Sequence, residues 1–143
     1  MTSTLRKWLI QESYPLDHLD KQGAYGNTPL MKASRLGDAA IVQELLALGV
    51  DIHRTNADGN TALWLACFSE NPAIVEMLIQ AGIALDTLNV NNVTPLMYAA
   101  SSGKTRMVEM LLAAGADRSI TNDDDFTALD LAANRDILRL LRV

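Results

Sequence analysis

A single cysteine, Cys67, stands in 143 residues, so no disulfide closes within the chain and a small cross-linked secreted scaffold is excluded. Proline and glycine are sparse, 4 and 8 residues, too few for a disordered or fibrous chain. No apolar run is long and uninterrupted enough to span a bilayer, and the N-terminus lacks the apolar core of a secretory signal. The expected setting is therefore cytoplasmic, without membrane insertion. Basic residues are outnumbered, 12 against 17 acidic, and the net charge of −5 opposes binding to a phosphate backbone. No phosphate loop, H-E-x-x-H, G-x-S-x-G or C-x-x-C is present, so no catalytic residue, metal or cofactor is expected. What remains is a chain 49% hydrophobic, enough for one domain with a sustained core.

The hydrophobic residues are ordered. Thr28, Thr61, Thr94 and Thr127 stand 33 residues apart, as do Leu30, Leu63, Leu96 and Leu129, and Ala33, Ala66, Ala99 and Ala132. A step shared by several columns means one supersecondary unit copied along the chain, each copy burying a face against its neighbours. The threonines fit helix N-caps, with Pro29 and Pro95 at the first helical position. Gly37 and Gly103 suit a break after about eight residues; in the second copy Glu70 or Asn71 must take that left-handed position. A second helix follows, in which Ile41, Val42, Leu45 and Leu46 recur as Ile74, Val75, Leu78 and Ile79, then as Met107, Val108, Leu111 and Leu112. Gly49, Gly82 and Gly115 end it, and the connection turns at Gly26, Gly59, Asn92 or Asp125.

These residues resemble the ankyrin repeat. Thr28-Pro29-Leu30-Met31-Lys32-Ala33 and Thr94-Pro95-Leu96-Met97-Tyr98-Ala99 keep its T-P-L-H-x-A motif except at His, while the Thr61 and Thr127 copies also replace Pro. Gly115-Ala116-Asp117 is similar to the family's G-A-D. The resemblance covers roughly residues 16 to 136 and implies an all-α fold, an α-solenoid of stacked helix-turn-helix units joined by β-hairpin-like turns. The expected organisation is one domain: a capping segment 1–22, copies at 23–55, 56–88 and 89–121, and a truncated closing copy at 122–143. Leu5, Trp8 and Leu9 fit the tail of a partial leading copy. In the closing copy Ile137, Leu138, Leu140 and Leu141 are expected to be too tightly spaced for a full second helix, with residues lost after Asp136. Both ends therefore read as sealed.

The resemblance implies a non-catalytic module that binds another protein through turn tips and the exposed side of the first helices, monomeric until the partner arrives. Carrying the variable columns over gives Ala24, Tyr25, Asn27, Arg35 and Leu36, then Ala57, Asp58, Asn60, Phe68 and Ser69. The later copies give Val90, Asn91, Val93, Ser101 and Ser102, then Asp123, Asp124, Phe126, Asn134 and Arg135. Tyr25, Phe68 and Phe126 stand out as anchors, because aromatic side chains bury large area at modest entropic cost. Packing between neighbouring turns is the competing reading, evenly balanced for Val90 and Val93. Trp64, in the column usually held by His, is expected to be packed.

Two other roles are compatible with the sequence: a subunit that pairs with itself, and a thiol-dependent redox protein using Cys67. Small residues recur in the Cys67 column, at Ser34, Ala100 and Ala133, which favours a packed thiol. His18 and His53 fall in connections at different places in their copies and read as solvated. The run Asn122-Asp123-Asp124-Asp125 lacks the glycine and closing carboxylate of a calcium loop and reads as an acidic turn.

Overall fold

The computed structural model describes residues 1–142. Its helices run α1 Ser3–Gln11, α2 Pro29–Leu36, α3 Ala39–Ala47, α4 Ala62–Ser69, α5 Pro72–Gln80, α6 Pro95–Ser101, α7 Thr105–Ala114 and α8 Arg135–Leu141. There is no strand among the described residues. Each first helix packs on its own second helix and on the first helix of the next copy, α2 on α3 and α4, then α4 on α5 and α6. The second helices stack likewise, α3 on α5, α5 on α7 and α7 on α8. Leu45, Leu78 and Leu111, one per copy, are fully buried in a single apolar cluster that runs from Leu5 to Leu141. Removing such a side chain costs about 2–5 kcal/mol, because a stacked interior has no solvent-side slack into which to collapse.

Local chemistry sets the ends of these helices. Thr28 and Thr94 accept the N–H groups of Met31 and Met97, capping α2 and α6 as their position before proline requires. Thr61 departs from this. Its backbone is extended in the same way, φ −86° and ψ 174°, but its hydroxyl makes no bond among the described residues. Glu70 takes the left-handed position after α4, at φ 53°. Asp38, Asn71 and Asn134 cap α3, α5 and α8 through the N–H groups of Ile41, Ile74 and Ile137. Lys104 occupies the same column before α7 and provides no cap.

The closing copy corrects the sequence reading. The three residues it lacks are missing before Asn134, not after Asp136. Residues 128–131 form a turn in place of a first helix. The second helix survives as α8, where Ile137 and Leu141 lie at helical spacing and are buried as Met107 and Leu111 are in α7. Ala133 N–H donates to Ala100 O and fastens the shortened segment to α6. At the other end α1 resembles a second helix: Leu5 and Leu9 are fully buried, and the N–H and hydroxyl of Thr2 donate to the Glu44 carboxylate.

Candidate functional site

The turns that border the first helices are built from one device with one exception. Asn56 Oδ1 accepts the N–H groups of Asp58 and Asn60, Asn89 Oδ1 those of Asn91 and Val93, and Asn122 Oδ1 those of Asp124 and Phe126. An asparagine that bridges its own turn fixes the tip without help from a strand. The first copy has Gly23 instead. A Cβ there would come within 3.1 Å of the Tyr14 ring, and the Tyr14 hydroxyl donates to Asn27 O at 2.8 Å. Tyr14 thus braces this turn from outside it, and Tyr25 is left in the left-handed region at φ 59°.

Neighbouring tips are linked by backbone. Ala57 N–H donates to Tyr25 O and Val90 N–H to Asp58 O, both at 3.0 Å. The contact requires glycine: a Cβ on Gly26 would lie 2.8 Å from Ala57 N, and one on Gly59 3.0 Å from Val90 N. Asn92 holds this column in the third copy, and no bond runs from Asp123 N–H to Asn91 O among the described residues. A side-chain bond from Asn92 Nδ2 to Asp123 Oδ1 joins those two tips instead.

Between the first two tips and α2 and α4 lies an open depression of about 320 Å³, bordered by Tyr25, Arg35, Asp58, Trp64 and Phe68 and floored by Leu65 with Asn27, Asn56 and Asn60. The Phe68 ring stacks parallel to Trp64, 6.1 Å away at 9°, and Trp64 leans on Tyr98 at 4.3 Å. Cations approach Phe68: the Arg35 guanidinium at 5.9 Å and Lys104 Nζ at 5.6 Å from its centroid. Lys104 Nζ also donates to Phe68 O at 3.0 Å and lies 3.9 Å from the Glu70 carboxylate. The α7 cap column has thus been given to a residue whose ammonium supports the aromatic patch of the preceding copy.

Of the residues expected to face a partner, Tyr25 is 78% exposed, Val90 65% and Phe68 46%; Arg35, Leu36, Asp58, Asn91, Asp123, Asp124 and Phe126 are exposed as well. Val93 is half-buried. Asn27 and Asn60 must be corrected: at 4% and 5% exposure they lie beneath the strip, where Asn27 Oδ1 accepts from Asn56 Nδ2 across copies. Ser69 is half-buried and its hydroxyl donates to Ser34 O, so it ties α4 to α2. The depression gathers Tyr25, Arg35, Asp58 and Phe68, leaving Val90, Asp123, Asp124 and Phe126 farther along the row of turns. Tyr98 and Lys104 were not assigned from sequence, and Trp64, expected to be packed, is half-buried and borders the depression. The signal for Lys104 is a lysine in a column otherwise filled by the capping residues Asp38, Asn71 and Asn134.

Cys67 is fully buried, and burial pushes its thiol up to about 12. A thiol held protonated in this way is a poor nucleophile. His18 and His53 are both exposed.

Stacked helical hairpins with one continuous interior and a row of ordered turns define a helical repeat protein. Residues 2–89 match the family described as ankyrin repeats (3 copies), and residues 78–132 match ankyrin repeats (many copies). The chain belongs to the ankyrin-repeat family. Among curated proteins none matches it. Ankyrin repeats generally mediate protein–protein interaction and are typically non-catalytic. No helix among the described residues is long and apolar enough to cross a membrane.

Proposed function

We propose that this protein is a non-catalytic binding module that takes a partner protein along the strip of turn tips and first helices, with Tyr25 and Phe68 as its principal anchors. One observation carries the reading: two exposed aromatic side chains from different copies border the same depression, over a floor of hydrogen-bonded asparagines. A surface fixed by its own turns loses little conformational entropy on docking, so more of the contact energy is retained as affinity. Arg35, Leu36, Asp58, Val90, Asn91, Asp123, Asp124 and Phe126 supply the rest of the strip, and Val93 its half-covered edge. Asn27, Asn60 and Ser69 support it from below. The single buried cysteine needs no oxidising compartment, in keeping with a cytoplasmic, monomeric module.

The test is affinity capture from the native cell extract with the parent protein and with a Tyr25→Ala, Phe68→Ala double variant whose helicity and melting are unchanged. A protein retained by the parent and lost by the variant supports the strip; equal retention rejects it.

A further inference from the structure

The unbalanced charge of the strip lies on one side. The tips 24–26, 57–59, 90–92 and 123–125 hold Asp58, Asp123, Asp124 and Asp125 and no lysine or arginine. Among the described residues none of these four carboxylates enters an ion pair, and only Asp123 accepts a side-chain bond, from Asn92. On the helix side Lys104 is engaged with Glu70 and Phe68 O, while Arg35, which borders the depression beside Phe68, has no carboxylate partner among the described residues. The backbone N–H groups of Ala57 and Val90 are used between tips, so recognition along the row falls to side chains.

We infer that the occupant is an extended basic segment of the partner, with an apolar side chain on Phe68 and Trp64 and Lys or Arg side chains on Asp58 and on the Asp123–Asp125 tip. This rests on the function proposed above and adds the chemistry of the partner. The spacing follows from the stack. Packed helices lie about 8–10 Å apart, so tips two copies apart are separated by roughly 16–20 Å. An extended chain rising about 3.3 Å per residue covers that distance in five or six residues. The first basic residue sits beside the apolar anchor, because Asp58 and Phe68 border one depression. Arg35 borders the same depression from its helix side, 5.9 Å from the Phe68 ring, so it suits a partner carbonyl or carboxylate there and leaves the basic side chain to approach Asp58 from the row of tips.

The experiment pans a random dodecapeptide library on the full chain, then measures a synthetic copy of the enriched sequence against the parent, Asp58→Asn with Asp124→Asn, and Phe68→Ala. Among the described residues the Asp58 and Asp124 carboxylates make no internal bond, and the turns are held by their backbone N–H groups, so the double variant leaves the turns intact. Enriched peptides should be net positive, with two basic residues five or six apart and an aliphatic or aromatic residue beside one of them. Their affinity should fall roughly fivefold or more in the double variant and weaken with added salt. Acidic or neutral peptides that ignore the double variant but are lost on Phe68→Ala would overturn the basic occupant and leave the strip standing. Peptides indifferent to both variants, or no enrichment at all, would overturn both.

Discussion

Asn92 donates its side-chain amide to Asp123 at 2.6 Å, where each of the two preceding tip-to-tip junctions carries a backbone bond. The difference follows from one Cβ. Glycine at 26 and 59 lets the next turn come within hydrogen-bond reach, and asparagine at 92 does not. Asn92→Gly should therefore allow Asp123 N–H to reach Asn91 O. Amide exchange of Asp123 is expected to slow, with global stability changed by no more than about 1 kcal/mol because a side-chain bond is exchanged for a backbone one. Unchanged exchange would assign the gap to the shortened closing copy instead.

Two connections share a bond that a third lacks. Asp51 N–H donates to Asp20 Oδ1 and Asp117 N–H to Asp86 Oδ1, both at 2.9 Å. The equivalent pair between them is Ala84 N–H and His53, and no bond joins these among the described residues. His53→Asp should supply the missing acceptor and stabilise the protein by about 0.5–1 kcal/mol at neutral pH. The gain should vanish in acid as the new carboxylate takes up a proton. A midpoint of urea unfolding that stays put or falls would mean the connections differ in path.

Trp64 carries a buried indole N–H with no acceptor among the described residues while its ring packs between Phe68 and Tyr98. Its worth is thus in the ring. Trp64→Phe should shift stability by less than about 1 kcal/mol, since the smaller ring loses packing but also removes an orphaned donor. Trp64→Ala should cost about 3 kcal/mol. Thermal melts of the two variants decide this, and equal losses would contradict it.

The Cys67 thiol is held protonated by burial, its ordinary value of 9.0 raised to about 12. A raised folded pKa gives stability that is complete below the unfolded value and declines as pH climbs from about 9 towards 12, where the unfolded thiol ionises first. Iodoacetamide at pH 8 should label the unfolded protein and leave the native one unmodified, and the parent should lose stability above pH 9 faster than Cys67→Ala. Rapid native labelling would revive a redox role.

The repeat length was legible in the sequence from its recurring columns, and the caps at Thr28 and Thr94 and a left-handed residue at Glu70 or Asn71 were legible because each is set by residues within one turn of itself; the structure assigns that last position to Glu70. What escaped depends on contacts between copies. Nothing local distinguishes Asn27, buried beneath the strip, from an exposed turn residue; its side chain is bonded by the Asn56 amide of the next copy and its carbonyl by the Tyr14 hydroxyl 13 residues away, and Asn60 is buried in the equivalent column. The left-handed Tyr25 has the same origin, since Gly23 is short to clear the Tyr14 ring. The closing copy was misread because apolar residues at 137, 138, 140 and 141 suit either a crowded end or a helix begun three residues early. The bond from Ile137 N–H to Asn134 Oδ1 settles where that helix starts.

The most direct test of the account places a photoreactive benzoylphenylalanine in turn at position 68, on the strip, and at position 76, on the exposed side of α5, and irradiates each protein in native extract. The account predicts a covalent adduct with one partner protein from position 68 and none from position 76. The same adduct from position 76, with none from 68, would place the binding surface on the second helices and contradict it.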